Sequence, residues 1–176
     1  MQQVFIYSNY QYPSILKMIG YYTDELYQDL YLRISKKSIG VLKNVIDNPA
    51  LFKNIDSTKK LIIAYGIACA MFHLHKNHIV HRNLNTSCVF LDENYYPYLF
   101  DFYNSKEIQT DVPYTLTFAT TESMSPEFLK DYEGNQNSEK NDVFSYGMLL
   151  YNLLFDNLSS KFSPDEIKNR IENRQF

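Results

Sequence analysis

The run from about Thr58 to His75 restricts this chain more than any other stretch. Asp56 or Ser57 can accept hydrogen bonds from the free amides at its start, and Leu61, Tyr65, Ala68, Phe72 and His75 fall on one stripe at helical spacing. The pattern predicts a core helix. Its most apolar part, Leu61 to Leu74, contains Tyr65 and His73 and falls short of the roughly 18 residues that a membrane span requires. A second stretch, Lys140 to Leu154, is apolar on most of its circumference, which predicts burial on several sides. At 176 residues, 45% hydrophobic and 21% charged, with no internal repeat or low-complexity linker, the chain has the make-up of one globular domain.

The remaining elements are shorter. Pro13-Ser14 breaks the opening segment, Ile15 to Ile19 reads as a strand ended by Gly20, and Leu30 to Ser35 reads as a second. Ser38 to Ile46 has helical spacing at Ile39, Leu42, Val45 and Ile46, closed by Asn48-Pro49. Val89-Phe90-Leu91 and Tyr98-Leu99-Phe100 flank the polar turn Asp92-Glu93-Asn94 and predict a hairpin. Residues 103 to 124, rich in hydroxyls and without periodicity, read as a long surface loop. Ser163-Pro164-Asp165-Glu166 is a capping box that opens a last helix.

Several classes of function drop out on charge and composition. A formal charge of −3 gives no electrostatic reason to expect nucleic acid or an anionic membrane as partner. Met1 to Tyr12 lacks the basic start and apolar run of a secretory signal. Cys69 and Cys88 have neither zinc nor redox spacing and make no disulfide framework, which fits a reducing, cytoplasmic setting. His73, His75, His78 and His81 lie close together, but i and i+2 on a helix do not face each other, and no acid or thiol completes a metal set. They read as a helix end followed by a core histidine.

Taken in order, the chain offers a long helix, His81-Arg82-Asn83, a hairpin, Asp101-Phe102-Tyr103, a hydroxyl-rich loop, Met124-Ser125-Pro126-Glu127, and Asp142-Val143-Phe144-Ser145-Tyr146-Gly147. This series resembles the C-terminal lobe of eukaryotic protein kinases, and most closely their tyrosine-kinase-like group in protists. Pro13 to Lys17 and Lys60 to Ala68 add to that likeness. Several ordered motifs at proper separations are far more specific than any one triplet. The resemblance implies an α+β, protein-kinase-like fold: a mostly helical C-lobe with a short β-hairpin and remnants of N-lobe strands. Residues 1–35 would be an N-lobe remnant and hinge, and residues 36–176 a C-lobe truncated before its last helices.

The resemblance also assigns positions. Asn83 stands where kinases carry the catalytic Asp, Asn85 where they carry a phosphate-contacting Lys, and Cys88 where they carry a magnesium-binding Asn. Asp101 matches the metal-binding Asp, while Tyr103 replaces the Gly two residues on and removes its conformational freedom. Thr120 matches a threonine found near the catalytic loop of serine/threonine kinases. His81, Phe102 and Asp142 match structural residues: two stacked rings, and the carboxylate that holds the loop's backbone. Arg82 matches the Arg that pairs with a phosphate on the long loop, where Tyr114, Thr115, Thr117, Thr120 and Thr121 offer acceptors. Glu127 matches an acid whose Arg partner would lie beyond Phe176, and the glycine-rich loop and strand Lys that orient ATP would lie before Met1.

An amide takes no proton near neutral pH, and general-base catalysis contributes roughly 10²–10⁴ in rate, about 3–5 kcal/mol. Cys88 is a soft thiol where a hard magnesium ion prefers oxygen. On these grounds the expectation is a domain that is not an enzyme, an inactive kinase-like module that binds other proteins, with no cofactor assigned beyond a possible ATP and magnesium. The alternatives are a weak ATP-dependent serine/threonine kinase that retains ATP and magnesium through Asp101, and a truncated remnant without function.

Overall fold

The computed structural model describes residues 2–23, 30–34, 38–108, 123–127 and 139–155. Its helices and small antiparallel sheets make an α+β, protein-kinase-like fold. The expected helix from Ser163, the hydroxyls from Tyr114 to Thr121 and most of the loop from 103 to 124 lie outside the described residues.

In chain order the elements are α1 (Gln2–Asn9), β1 (Met18–Thr23), β2 (Leu30–Ile34), β3 (Ser38–Val41), α2 (Leu42–Ile46), α3 (Pro49–Phe52) and α4 (Ser57–Lys76). There follow β4 (Ile79–Val80), a 3₁₀ turn (Thr86–Cys88), β5 (Val89–Asp92), β6 (Pro97–Leu99), β7 (Lys106–Glu107) and α5 (Glu139–Leu154). Strands β1 and β2 pair with each other, β3, β5 and β6 form a three-stranded sheet in that order, and β4 pairs with β7.

Helix α4 is the spine of the core. Asp56 caps it by accepting from the Lys59 amide at 2.8 Å. At the other end Asn77 Nδ2 donates to the His73 carbonyl, and His78 leaves the helix in the left-handed region at φ 58°. Ile63, Gly66, Ile67, Ala70, Met71 and Leu74 are its buried residues, a run of three- and four-residue steps. The expected stripe is therefore wrong: Leu61, Tyr65 and Phe72 are about 70% exposed. Apolar residues encircle α4, so spacing alone permits more than one stripe. The small residues decide between them, because a methyl group on Gly66 would run into the ring of Pro97 at the start of β6.

Three further expectations are corrected. The first strand does not end at Gly20 but passes through it, with an irregular register between Met18 and Gly20, and begins only at Met18. Ile15 and Leu16 instead lie along β6, where Leu16 N–H donates to the Leu99 carbonyl and Leu99 N–H to that of Ser14. The segment from Ser38 opens as a strand against β5, with Gly40 at φ 125°, and turns helical only at Leu42. Helix α5 buries Asp142, Ser145, Leu149 and Leu153, while Val143, Tyr151 and Leu154 are exposed. The hairpin of β5 and β6 is as expected, with Val89 facing Leu99 and Leu91 facing Pro97.

Candidate functional site

Residues 81 to 88 connect β4 to the hairpin, and one carboxylate fixes the start of this loop. Asp142, 1% exposed near the start of α5, accepts from the His81 amide through Oδ2 and from the Arg82 amide through Oδ1, both at 2.8 Å. His75, in the last turn of α4, places Nε2 2.9 Å from the same Oδ2. Two charge-assisted amide bonds hold Arg82 at φ 66°, a conformation a non-glycine residue adopts only when its surroundings compel it.

The loop is then knitted from within. His81 has no exposed surface, and burial, the largest influence, lowers its pKa against the opposing pull of Asp142. Its neutral ring fits both neighbours: Nε2 donates to the Phe100 carbonyl at 3.1 Å, and Nδ1 accepts from the Asn83 amide at 3.3 Å. The Asn83 carbonyl accepts from Asn85 Nδ2 and from the Cys88 thiol, each at 2.9 Å. Asn85 Oδ1 accepts from the Ser87 amide at 2.7 Å, closing the turn.

Asp101 meets this loop from the end of the hairpin, its Oδ2 3.9 Å from Cys88 Sγ. Burial, and secondarily the charge of Asp101, raise the Cys88 pKa and keep the thiol protonated. The backbone of Asp101 is left-handed at φ 65°, and its amide donates to the Tyr7 hydroxyl at 3.1 Å. Tyr7 comes from α1 and is 4% exposed; its ring meets Phe102 edge-on at 5.0 Å, and Phe102 meets His81 at 5.3 Å. A column of three rings thus joins α1 to the loop.

The structure brings Asn83, Asn85, Cys88 and Asp101 together, with His81, Arg82, Phe102 and Asp142 framing them. Glu127 is exposed at the end of a segment tied to α5 by Ser125 Oγ donating to Asn141 Oδ1 at 2.6 Å. Tyr103 is 60% exposed, and Thr120 lies outside the described residues. Sequence reasoning missed Tyr7 and His75. His75 stands 67 residues from Asp142 and Tyr7 stands 94 from Asp101, and no local pattern marks either pair.

Magnesium prefers oxygen donors, so the Asp101 carboxylate suits it and the protonated, buried thiol of Cys88 does not. Among the described residues no group of three or more histidines, cysteines or acids surrounds a metal position, and no helix is long and apolar enough to cross a membrane.

The Protein kinase domain family matches residues 1–176. The chain is 29% identical over 156 residues to the serine/threonine-protein kinase CTR1 of Arabidopsis thaliana, covering 87% of this chain and 18% of that protein. It is 32% identical over 164 residues to the probable LRR receptor-like serine/threonine-protein kinase RPK1 of the same plant, covering 89% and 29%. A probable serine/threonine-protein kinase of Dictyostelium discoideum is 28% identical over 152 residues, covering 86% and 11%. The chain therefore spans less than a third of the length of each of these curated relatives. The expectation of a domain that is not an enzyme is overturned by these findings, which point to a protein kinase enzyme. Physically, that expectation rested on Asn83 and, more heavily, on the losses at Asn85 and Cys88, whereas the frame that positions the loop and the Asp101 carboxylate both persist. With likeness running from the first residue to the last, across the loop that Asp142 clamps, the chain belongs to the protein kinase domain family.

Proposed function

We propose that this chain is a weak ATP-dependent serine/threonine protein kinase domain whose nucleotide is anchored through Asp101. The placement of Asp101 carries the reading: its backbone is held by Tyr7 and its carboxylate sits beside a loop whose own backbone is fixed by Asp142. ATP with magnesium supplies the transferable phosphoryl group and the neutralising charge. The chain's residues bind and orient. Asp101 is the ligand for the ion, and the Asn83 amide oxygen orients a substrate hydroxyl without taking its proton, which leaves the rate low. Asn85, folded back onto the loop, contributes no cation. We place residues 1–35 on the N-lobe side and 36–176 in the C-lobe, and assign the chain to the tyrosine-kinase-like group on Pro13 to Lys17 and Lys60 to Ala68. Its partners are the proteins it phosphorylates, in the cytoplasm.

The test is transfer of labelled phosphate from ATP to casein, together with thermal melting in Mg-ATP. Slow labelling on serine and threonine that Asp101→Ala abolishes is expected. Nucleotide at a hundred times its Kd should add about 2.7 kcal/mol, a rise in Tm on the order of 5–10 °C. No labelling and no shift with purified protein would end this reading.

A further inference from the structure

We infer that the outer face of α4, with the flank of α5 beside it, is a twofold interface at which two copies of this chain pair reversibly. The face carries Leu61, Tyr65, Ala68 and Phe72, separated by four, three and four residues, the spacing of a coiled-coil seam. Its three large side chains are 69–71% exposed, and the run from Leu61 to His75 contains no Asp, Glu, Lys or Arg. A solvent-facing helix surface is ordinarily charged and polar, whereas the centre of an interface is depleted of charge and rich in aromatic rings. The core of the domain makes no demand for this stripe, because the buried residues of α4 lie on its opposite side.

Helix α5 widens the face. It runs antiparallel to α4, since Asp142 in its first turn meets His75 in the last turn of α4, and the Tyr146 hydroxyl donates to the Ala64 carbonyl further back. At roughly 3.6 residues per turn, Val143 and Leu154, 58% and 50% exposed, fall on the side of α5 continuous with the seam. With roughly 150–250 Å² for a whole aromatic side chain and somewhat less for an aliphatic one, these five large residues expose on the order of 500 Å². Two such faces together bury about 1,000 Å², enough for a specific contact and small enough for a reversible one. The occupant is a second copy because the seam is complementary to itself. Laid antiparallel about a twofold axis beside Ala68, Tyr65 of each copy meets Phe72 of the other, and Leu61 meets the aliphatic stem of the exposed Lys76. Both aromatic pairs form at once, no like charges oppose each other, and the small side chain of Ala68 at the crossing lets the helices approach closely.

The test is sedimentation equilibrium of the purified chain, without nucleotide, so its outcome is separate from that of the phosphorylation assay. The mass should rise from one chain to two across the micromolar range and stop there. Tyr65→Lys and Phe72→Glu alter exposed positions, so circular dichroism and Tm should change little. Each should weaken pairing by at least the roughly 30-fold that marks an interface hot spot. Tyr96→Lys, at an exposed tyrosine on the turn between β5 and β6, should leave pairing unchanged. Mixing Tyr65→Lys with Phe72→Glu in equal parts should restore the dimer. The mixed pair sets a lysine against a glutamate at one contact and keeps the native rings at the other. A wild-type chain that stays monomeric at several hundred micromolar leaves the face to a different protein and overturns the inference. So does a dimer that survives Phe72→Glu, or growth beyond two chains. Monomeric variants that fail to pair on mixing overturn it as well, since a parallel arrangement would set Tyr65 against Tyr65 and gain nothing from the two charges.

Discussion

His81 shows how a single buried ring can make the whole domain sensitive to acid. Burial lowers its folded-state pKa below the roughly 6.5 of an exposed histidine, so as pH falls the unfolded chain takes up a proton before the native one does. Stability is therefore complete above about pH 6.5 and declines below it, by at most about 1.4 kcal/mol per pH unit for one proton. Urea unfolding at pH 7.5, 6.5 and 5.5 should show this decline, flattened in His81→Gln; an equal slope in the variant would refute the assignment. Asn83 offers the complementary experiment. Its Oδ1 already accepts from Asn85 Nδ2 at 3.3 Å, so an aspartate there keeps that bond while adding a proton acceptor. If the proposed activity holds, Asn83→Asp should raise the casein phosphorylation rate by about 10²-fold or more, and an unchanged turnover would show that proton abstraction does not limit transfer.

Among the elements, α4 is where sequence and structure part most instructively. Its ends were legible, because a cap such as Asp56 acts within three residues and leaves a local mark. Its buried face was not, since nothing in the helix records that Pro97 will press on Gly66. Gly66→Ala tests that contact. An exposed helical glycine gains up to about 1 kcal/mol on becoming alanine, whereas a methyl forced against a proline ring costs typically 1–3 kcal/mol. A lower midpoint in thermal or urea unfolding is expected, and a higher one would mean that β6 yields easily. The strand from Ser38 shows the same limit, for Ile39, Leu42, Val45 and Ile46 satisfy helical spacing while pairing with β5 claims the first four residues. At the site, Asn83, Asn85, Cys88 and Asp101 were singled out through the resemblance to kinase motifs, whereas Tyr7 and His75 are set by tertiary approach alone.

On the scale of the molecule, two devices meet at residues 81 and 82. Asp142 binds α5 and α4 to the loop through His81, Arg82 and His75, and the column of Tyr7, Phe102 and His81 binds α1 to the same point. Removing the carboxylate strands two amide donors and a histidine, at about 1–3 kcal/mol for each buried donor, against a total stability of roughly 5–15 kcal/mol for a domain. Asp142→Ala should therefore leave little cooperative unfolding. Asp142→Asn keeps one acceptor oxygen and should cost less. Tyr7→Ala acts at the far end of the ring column, and since both routes converge on His81 the two losses should not add. A double-mutant cycle of Tyr7→Ala with Asp142→Asn should return a coupling on the order of 0.5–3 kcal/mol. Additivity within about 0.3 kcal/mol would show that α1 and α5 are stabilised separately, and that the rings stack without transmitting anything between them.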